Sequence, residues 1–400
     1  MLCFITLLYW EREVATVRNS AECVIIGGGI IGASVAFHLA KMGMKDIVIL
    51  EKEMFLGAGA TGKCAGGIRA QFSSEINVKI SLLSEDLFER FSEDTGEEGI
   101  FDQVGYCFLV TNHDDEQVFQ GLMKMQQDLG APVEWLKPDE ISDLAPNVRI
   151  DDVIGGTFCK KDGIGDPHVF TQGYVTAARR LGVEIYEETK ATGIEKNGDK
   201  VTSVVTDKGN ISTPLVINCA GPHAKEIGEM VGVDIPVLPY KRQISTTSPL
   251  SWIPEHFPMV VDIASGLYCH KESGGLLLGW ADKNTAPGFD QSLDPEYTDE
   301  ILMRALDRIP ILEEAGIATS WAGLYETTPD HHAILGKVPE VEGFLCANGF
   351  SGHGFMHAPG VGQLMAELIV KGEPSIDISP LSITRFAEEK EEIREEQTVI

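Results

Sequence analysis

The run Val24-Ile25-Ile26-Gly27-Gly28-Gly29-Ile30-Ile31-Gly32, with Glu51 closing Ile47-Val48-Ile49-Leu50, constrains this chain more than any other stretch. It reads as a buried strand, a glycine turn, a helix over about Ile30–Met42, a second strand and an acid. That is the layout of a dinucleotide-binding βαβ unit. Gly27 permits the tight turn, Gly29 lets backbone N–H groups approach a pyrophosphate, and Gly32 lets the helix pack against the strand. The helix N-terminus attracts phosphate charge, and Glu51 can accept hydrogen bonds from a ribose hydroxyl. Val35, Leu39 and Met42 supply apolar positions at helical spacing, and Gly43 is a natural stop.

The 400 residues leave room for two or three structural units. Net charge is −29, from 32 basic and 61 acidic residues, which argues against nucleic acid and anionic lipid as partners. The same charge repels anionic substrates unless a local cation overrides it. Eight cysteines are scattered and none forms Cys-x-x-Cys, so no metal site is expected; they read as buried thiols of a reducing compartment. Met1–Trp10 is apolar but far short of the roughly 20 residues that span a bilayer. It lacks the basic start and small-residue cleavage site of a signal peptide. Residues 1–20 are therefore read as an N-terminal extension, with a peripheral contact as one alternative. The chain is expected to be cytoplasmic or peripheral to a membrane, with no transmembrane segment.

The pattern along the chain alternates between two kinds of segment. Leu56–Gly67 is a loop of small residues, and Ile76–Phe91 returns to helical spacing. Strands are expected at Gly105–Val110 and Val133–Leu136, around a helix over Asp114–Leu129. A helix from Pro167 to about Leu181 leads into strands Glu184–Tyr186, Gly193–Lys196, Val201–Thr206 and Leu215–Asn218, with hairpin signals at Asn197-Gly198 and Lys208-Gly209. A further helix is expected at Asp299–Ile309 and a last one at about Pro359–Val370. The class is α/β. Residues 21–94, 150–232 and 321–375 read as a discontinuous nucleotide-binding domain. Residues 95–149 and 233–320 read as an intertwined substrate domain of α+β type built on an antiparallel sheet. Residues 376–400 read as a C-terminal tail, with Glu388–Glu396 as a solvated charge run.

A second signal is Asn348-Gly349-Phe350-Ser351-Gly352-His353-Gly354-Phe355-Met356, continuing to Gly362. Its glycines let backbone approach a flat ligand, and the helix behind them offers N–H groups to anionic charge. Together with Gly27-x-Gly-x-x-Gly32, Glu51, Cys64-Ala65-Gly66-Gly67-Ile68-Arg69-x-Gln71-Phe72 and Asn218-x-Ala-Gly221-Pro222, it resembles the D-amino-acid oxidase superfamily of flavoproteins. The nearest likeness is to sarcosine oxidase-type enzymes and the FAD subunit of archaeal-type L-proline dehydrogenase, over about residues 22–375.

The resemblance implies a Rossmann-like FAD-binding domain of glutathione-reductase type, FAD as cofactor, and oxidation of an amine carbon next to a carboxylate. It implies cofactor contacts at Gly27, Gly29, Ile30, Ile31, Gly32, Glu51, Lys52, Thr61, Lys63, Cys64, Ala65, Gly66 and Gly67. Others are Ala191, Cys219, Ala220, Gly221, Gly323, Gly349, Phe350, Ser351, Gly352, His353, Gly354, Phe355 and Met356. Arg69 is the leading carboxylate clamp, because a guanidinium offers a bidentate fork and matches an active-site arginine of the sarcosine oxidases. Tyr268 matches an active-site tyrosine facing the flavin; the alternative is a satisfied core tyrosine. His270 is a candidate for polarising substrate, against a structural role. His353 is read as orienting the flavin loop. His331 and His332 are not read as a metal pair, because adjacent side chains on extended chain point apart.

Departures from the family pattern are informative. Met356 and Leu277 stand where sarcosine oxidases carry lysines, the second one used to activate oxygen. A dehydrogenase that passes electrons to a partner is therefore favoured over an oxidase. Lys63 and Gly323 stand near the places where some relatives attach flavin through histidine or cysteine, so noncovalent FAD is expected. A proline- or sarcosine-like amino acid is the expected substrate, with a second subunit or a separate electron acceptor as candidate partner. The alternatives are a primary amino acid or α-hydroxy acid as substrate, or a noncatalytic FAD-bearing assembly subunit.

Overall fold

The computed structural model describes residues 16–387 and 395–398. β1 (Cys23–Ile26), α1 (Ile30–Lys41) and β2 (Ile47–Leu50) form the expected βαβ unit, with β1 and β2 parallel in the register Cys23↔Ile47 to Ile26↔Leu50. Both strands are buried at every residue, which is why their sequences are unbroken apolar runs rather than alternating ones. Val216–Asn218 adds to the free edge of β1, followed by Phe344–Asn348 and the antiparallel Ile334–Lys337; Glu184–Tyr186 adds to β2. α1 packs on one face of this six-stranded sheet, with Pro167–Arg180 and the last helix, Gly354–Val370, against it. A small antiparallel sheet of Ala191–Asn197, Lys200–Thr206 and Gly209–Ser212 contributes to the core on the other face.

The second large sheet has eight strands in the order Ile317–Thr327, Leu238–Thr247, Gly275–Trp280, Leu267–Glu272, Met259–Asp262, Tyr106–Val110, Gly155–Cys159 and Val133–Leu136. Only Met259–Asp262 and Tyr106–Val110 pair in parallel. The strand period sorts its residues. Leu267, Cys269, Leu276 and Leu278 pack towards the helix Pro295–Arg308, while Tyr268, Leu277, Ile244 and Val261 cluster on the other face. The class is the expected one, a parallel nucleotide-side sheet beside a mixed, mainly antiparallel sheet.

Several expectations need correction. Gly155–Cys159 and Ile317–Thr327 hydrogen-bond into the eight-stranded sheet, although the limits at 150 and 321 assign most of them to the nucleotide side. Gly209–Ser212 is a strand rather than only the end of a turn. Residues 1–15 of the expected extension lie outside the described residues, but the rest is part of the fold: Val17 is buried, Ser20 bridges to Ser212, and Arg18 pairs with Asp46 and Glu184.

The last helix begins at Gly354, so Pro359 lies inside it rather than at its start. A helix-interior proline loses one backbone bond and crowds the preceding turn. Here packing compensates: a Cβ on Gly360 would lie 2.7 Å from Ser84 Oγ and one on Gly362 2.1 Å from Ser34 Oγ, so bare glycine backbone brings the helix against α1 and against α2 (Glu75–Glu89). Gly360 N–H donates to Ser84 Oγ at 3.1 Å.

The end of the chain is not merely a solvated tail. Residues 388–394 lie outside the described residues, but Glu396 is buried, accepting hydrogen bonds from Ser73 N, Ser73 Oγ, Ser74 Oγ and Asn77 Nδ2. Burial alone would raise its carboxyl, but hydrogen bonds from Ser73 and Thr398 and the nearby Arg69 charge hold it down at about 2.

Candidate functional site

The βαβ turn opens onto a long cavity. Gly27 has φ of +113°, and a Cβ there would lie 2.2 Å from Cys219 O, so only glycine fits. A Cβ on Gly32 would lie 2.0 Å from Gly27 O, which fixes the close approach of helix to turn. No side chain caps α1 at Gly29; Ile30 N–H donates to Thr61 Oγ1 at 3.2 Å. Glu51 accepts from Gly28 N at 2.9 Å and Glu53 N at 2.8 Å, while burial pushes its carboxyl above the usual range. The cavity is about 460 Å³, and its walls include Gly27, Gly29, Ile31, Glu51, Lys52, Thr61, Lys63, Ala191, Cys219, Ala220 and Gly221.

At Thr61, Lys63 and Glu326 this cavity meets a narrower chamber of about 80 Å³, lined by Ile30, Arg242, Gly323, Phe350 and Gly354 among others. A neighbouring space of about 60 Å³ shares Cys64, Ala65, Tyr268, Tyr325, Gly352 and Phe355 with it and adds Gly66, Gly67, Arg69, Tyr106, Ser351, His353 and Met356. Of the expected cofactor residues, Gly32 and Gly349 stay behind the wall. Gly349 is needed for packing, since a Cβ there would lie 2.6 Å from Thr328 Cγ2.

The four candidate catalytic residues separate. Tyr268 lines both parts of the chamber, its hydroxyl kept neutral by burial. Arg69 lines the chamber but is 3 % exposed, with its guanidinium 3.9 Å from the Phe72 ring. It donates to Gln71 O, to Thr398 O at 2.5 Å and to Thr398 Oγ1 at 3.4 Å.

His353 faces the chamber and donates from Nε2 to His331 O at 3.0 Å. Its Nδ1 is 3.3 Å from His357 Nδ1, and His357 Nε2 is 2.8 Å from Ser81 Oγ. Burial pushes His353 down to about 3. With Nε2 protonated, its Nδ1 accepts from His357 Nδ1–H, and His357 Nε2 accepts from the Ser81 hydroxyl. This series of hydrogen bonds ties the glycine loop to the backbone of His331 and, through His357, to Ser81 of α2. His270 corrects an expectation: it is wholly buried with Nδ1 2.8 Å from Lys271 O, and it does not line the chamber.

Sequence reasoning missed Tyr106, Arg242, Tyr325 and Glu326. Strand alternation could have found two of them: Tyr325 is two residues beyond Gly323, and Arg242 two before Ile244, all on the chamber side. Glu326 lies where the long cavity joins the chamber, accepts from Gly349 N at 3.2 Å, and is pushed up to about 7 by burial. Glu396 and Thr398 carried no local signal, because their partners lie hundreds of positions earlier in the chain.

Residues 22–368 match the family model for DAO, FAD dependent oxidoreductase. This chain belongs to the DAO family of FAD-dependent oxidoreductases. The DAO-family chain is 32 % identical to mitochondrial dimethylglycine dehydrogenase of Rattus norvegicus, over 92 % of this chain and 45 % of the relative. It is 31 % identical to mitochondrial sarcosine dehydrogenase of Mus musculus, over 92 % of this chain and 42 % of the relative. It therefore spans less than half the length of these curated relatives. The crystal structure of L-proline dehydrogenase from P. horikoshii superposes with a TM-score of 0.88 at 33 % identity, covering 93 % of this chain and 99 % of that one.

Membership of the DAO family implies FAD, and the residues present fit it. The N-terminus of α1, without an N-cap side chain, opens onto the long cavity and would suit phosphate charge, Glu51 in the wall of that cavity could accept from a ribose hydroxyl, and glycines that line the adjoining chamber would let backbone approach a flat ring. Among the described residues no helix is long and apolar enough to cross a membrane.

Proposed function

We propose that this DAO-family chain oxidises the C–N bond of a secondary or N-methyl amino acid of the proline or sarcosine kind, passing the electrons on to a partner or a quinone. The observation that carries this reading is the chamber wall. In a chain of net charge −29, the chamber is bordered by two guanidinium groups, Arg69 and Arg242, and by three tyrosines, Tyr106, Tyr268 and Tyr325. A cation there favours a carboxylate that the overall charge would repel. The tyrosine hydroxyls, held neutral by burial, donate hydrogen bonds to that carboxylate without adding negative charge. The names of the relatives, dimethylglycine, sarcosine and L-proline dehydrogenases, point to the same substrate class.

FAD, when bound, supplies the two-electron acceptor for hydride leaving the α-carbon. The protein holds the carboxylate and keeps the reacting carbon out of water, and burial pushes the chamber-lining Glu326 up to about 7, which weakens its pull on an ammonium. The imine product is hydrolysed in water. FAD is held without a covalent bond in this reading. Gly323 has no nucleophile, and burial pushes the Cys64 thiol up to about 11, leaving it protonated and a poor attacking group. Leu277, 2 % exposed on the chamber side of the sheet, leaves that place without a cation to stabilise reduced oxygen.

Anaerobic addition of proline, sarcosine and other amino acids to the FAD-loaded protein tests the reaction. Bleaching of the flavin band by a secondary or N-methyl amino acid is the expected result. Absence of bleaching by every amine would overturn it. Denaturation followed by ultrafiltration should release the flavin into the filtrate.

A further inference from the structure

We propose that Arg242, rather than Arg69, holds the carboxylate of the substrate; the proposal rests on the amino-acid reading given above. The two guanidinium groups that border the chamber are in opposite states. Arg69 already has its ligands: Gln71 O, Thr398 O and Thr398 Oγ1 accept its hydrogen bonds, and the Phe72 ring covers one face. A carboxylate could reach it only by displacing Thr398. That segment is anchored by Glu396, which is itself held by Ser73, Ser74 and Asn77. Arg69 is thus a buried post to which the end of the chain is tied.

Arg242 has the reverse character. It pairs in register with Gly323, and it lines the chamber. One nitrogen, Nη1, donates to Lys241 O at 2.9 Å. Its Nε is buried and has no hydrogen-bond partner among the described residues, and no carboxylate lies within 4.0 Å of the group among them. The guanidinium carbon is 5.3 Å from the centre of the Tyr325 ring, and Tyr268 lines the same chamber. A buried N–H without an acceptor is unfavourable unless a ligand supplies one. A carboxylate fits this demand: one guanidinium edge can engage both its oxygens while phenol hydroxyls complete the shell.

The test is calorimetric titration of the FAD-loaded full chain with pyrrole-2-carboxylate, a planar acid that cannot be oxidised at an α-carbon, and with its neutral carboxamide. Arg242→Gln should weaken binding of the acid by about 30-fold or more, with little change for the amide. Arg242→Lys, which keeps the charge but loses the fork, should fall between the two and guards against a folding defect. Arg69→Gln should weaken acid binding far less than Arg242→Gln does while lowering the melting temperature, as expected for a group that holds the tail and only borders the ligand. Equal acid binding by wild type and Arg242→Gln would overturn the assignment. So would a shifted flavin midpoint potential in Arg242→Gln with unchanged acid binding, since the cation would then serve the cofactor. The clamp is read from binding and the reaction from bleaching, so failure of one is visible apart from failure of the other.

Discussion

Glu326 carries a prediction that its neighbours in sequence do not. Its carboxyl is buried at the neck between the long cavity and the chamber and is pushed up to about 7. A folded-state value above the unfolded one means stability that is full below about pH 4.5 and is lost as pH rises through 7. The shift corresponds to about 3 kcal/mol as an order of magnitude. Thermal melts from pH 5 to 8 should show wild type losing more stability with rising pH than Glu326→Gln; parallel curves would show that this carboxyl is already ionised. Glu396 has the opposite sign. Its depressed value means that stability is lost as pH falls towards about 2, and Glu396→Ala should cost about 3 kcal/mol in denaturant unfolding by stranding the donors of Ser73, Ser74 and Asn77. At this scale, residues in the glycine motifs were legible because their chemistry depends on local spacing. Glu326 and Glu396 were not, because a charge buried by distant segments leaves no periodic trace.

Elements were legible where one physical rule dominated. β1, α1 and β2 follow from apolar runs bounded by glycine, and Gly27 can be tested directly. Gly27→Ala places a Cβ 2.2 Å from Cys219 O on a backbone at φ +113°, so it should destabilise the chain by about 2–3 kcal/mol and weaken FAD uptake in a flavin-binding titration. The start of the last helix was misread for an equally physical reason. Proline normally marks a first turn, but tertiary contacts of Gly360 and Gly362 outweigh that preference here. The expected domain limit at 321 divides the strand Ile317–Thr327, whose backbone pairs with Leu238–Thr247.

For the whole molecule, the alternation of nucleotide-type and strand-rich segments gave the architecture, since parallel and antiparallel sheets carry different hydrophobic periods. How the two sheets enclose a chamber was not legible, because it depends on which strand faces meet. A test at this scale concerns the fate of the electrons. With Leu277 and Met356 in place of cations, the reduced protein should be reoxidised by a quinone or dye much faster than by air-saturated buffer, as followed by return of the flavin band.

The contact between Thr398 and Arg69 joins positions 329 residues apart. Completing the wall beside the chamber therefore needs segments from both ends of this stretch of chain. A chain cut before residue 395 would lose both Thr398 acceptors and keep Gln71 O, leaving one guanidinium edge of Arg69 open to an anion.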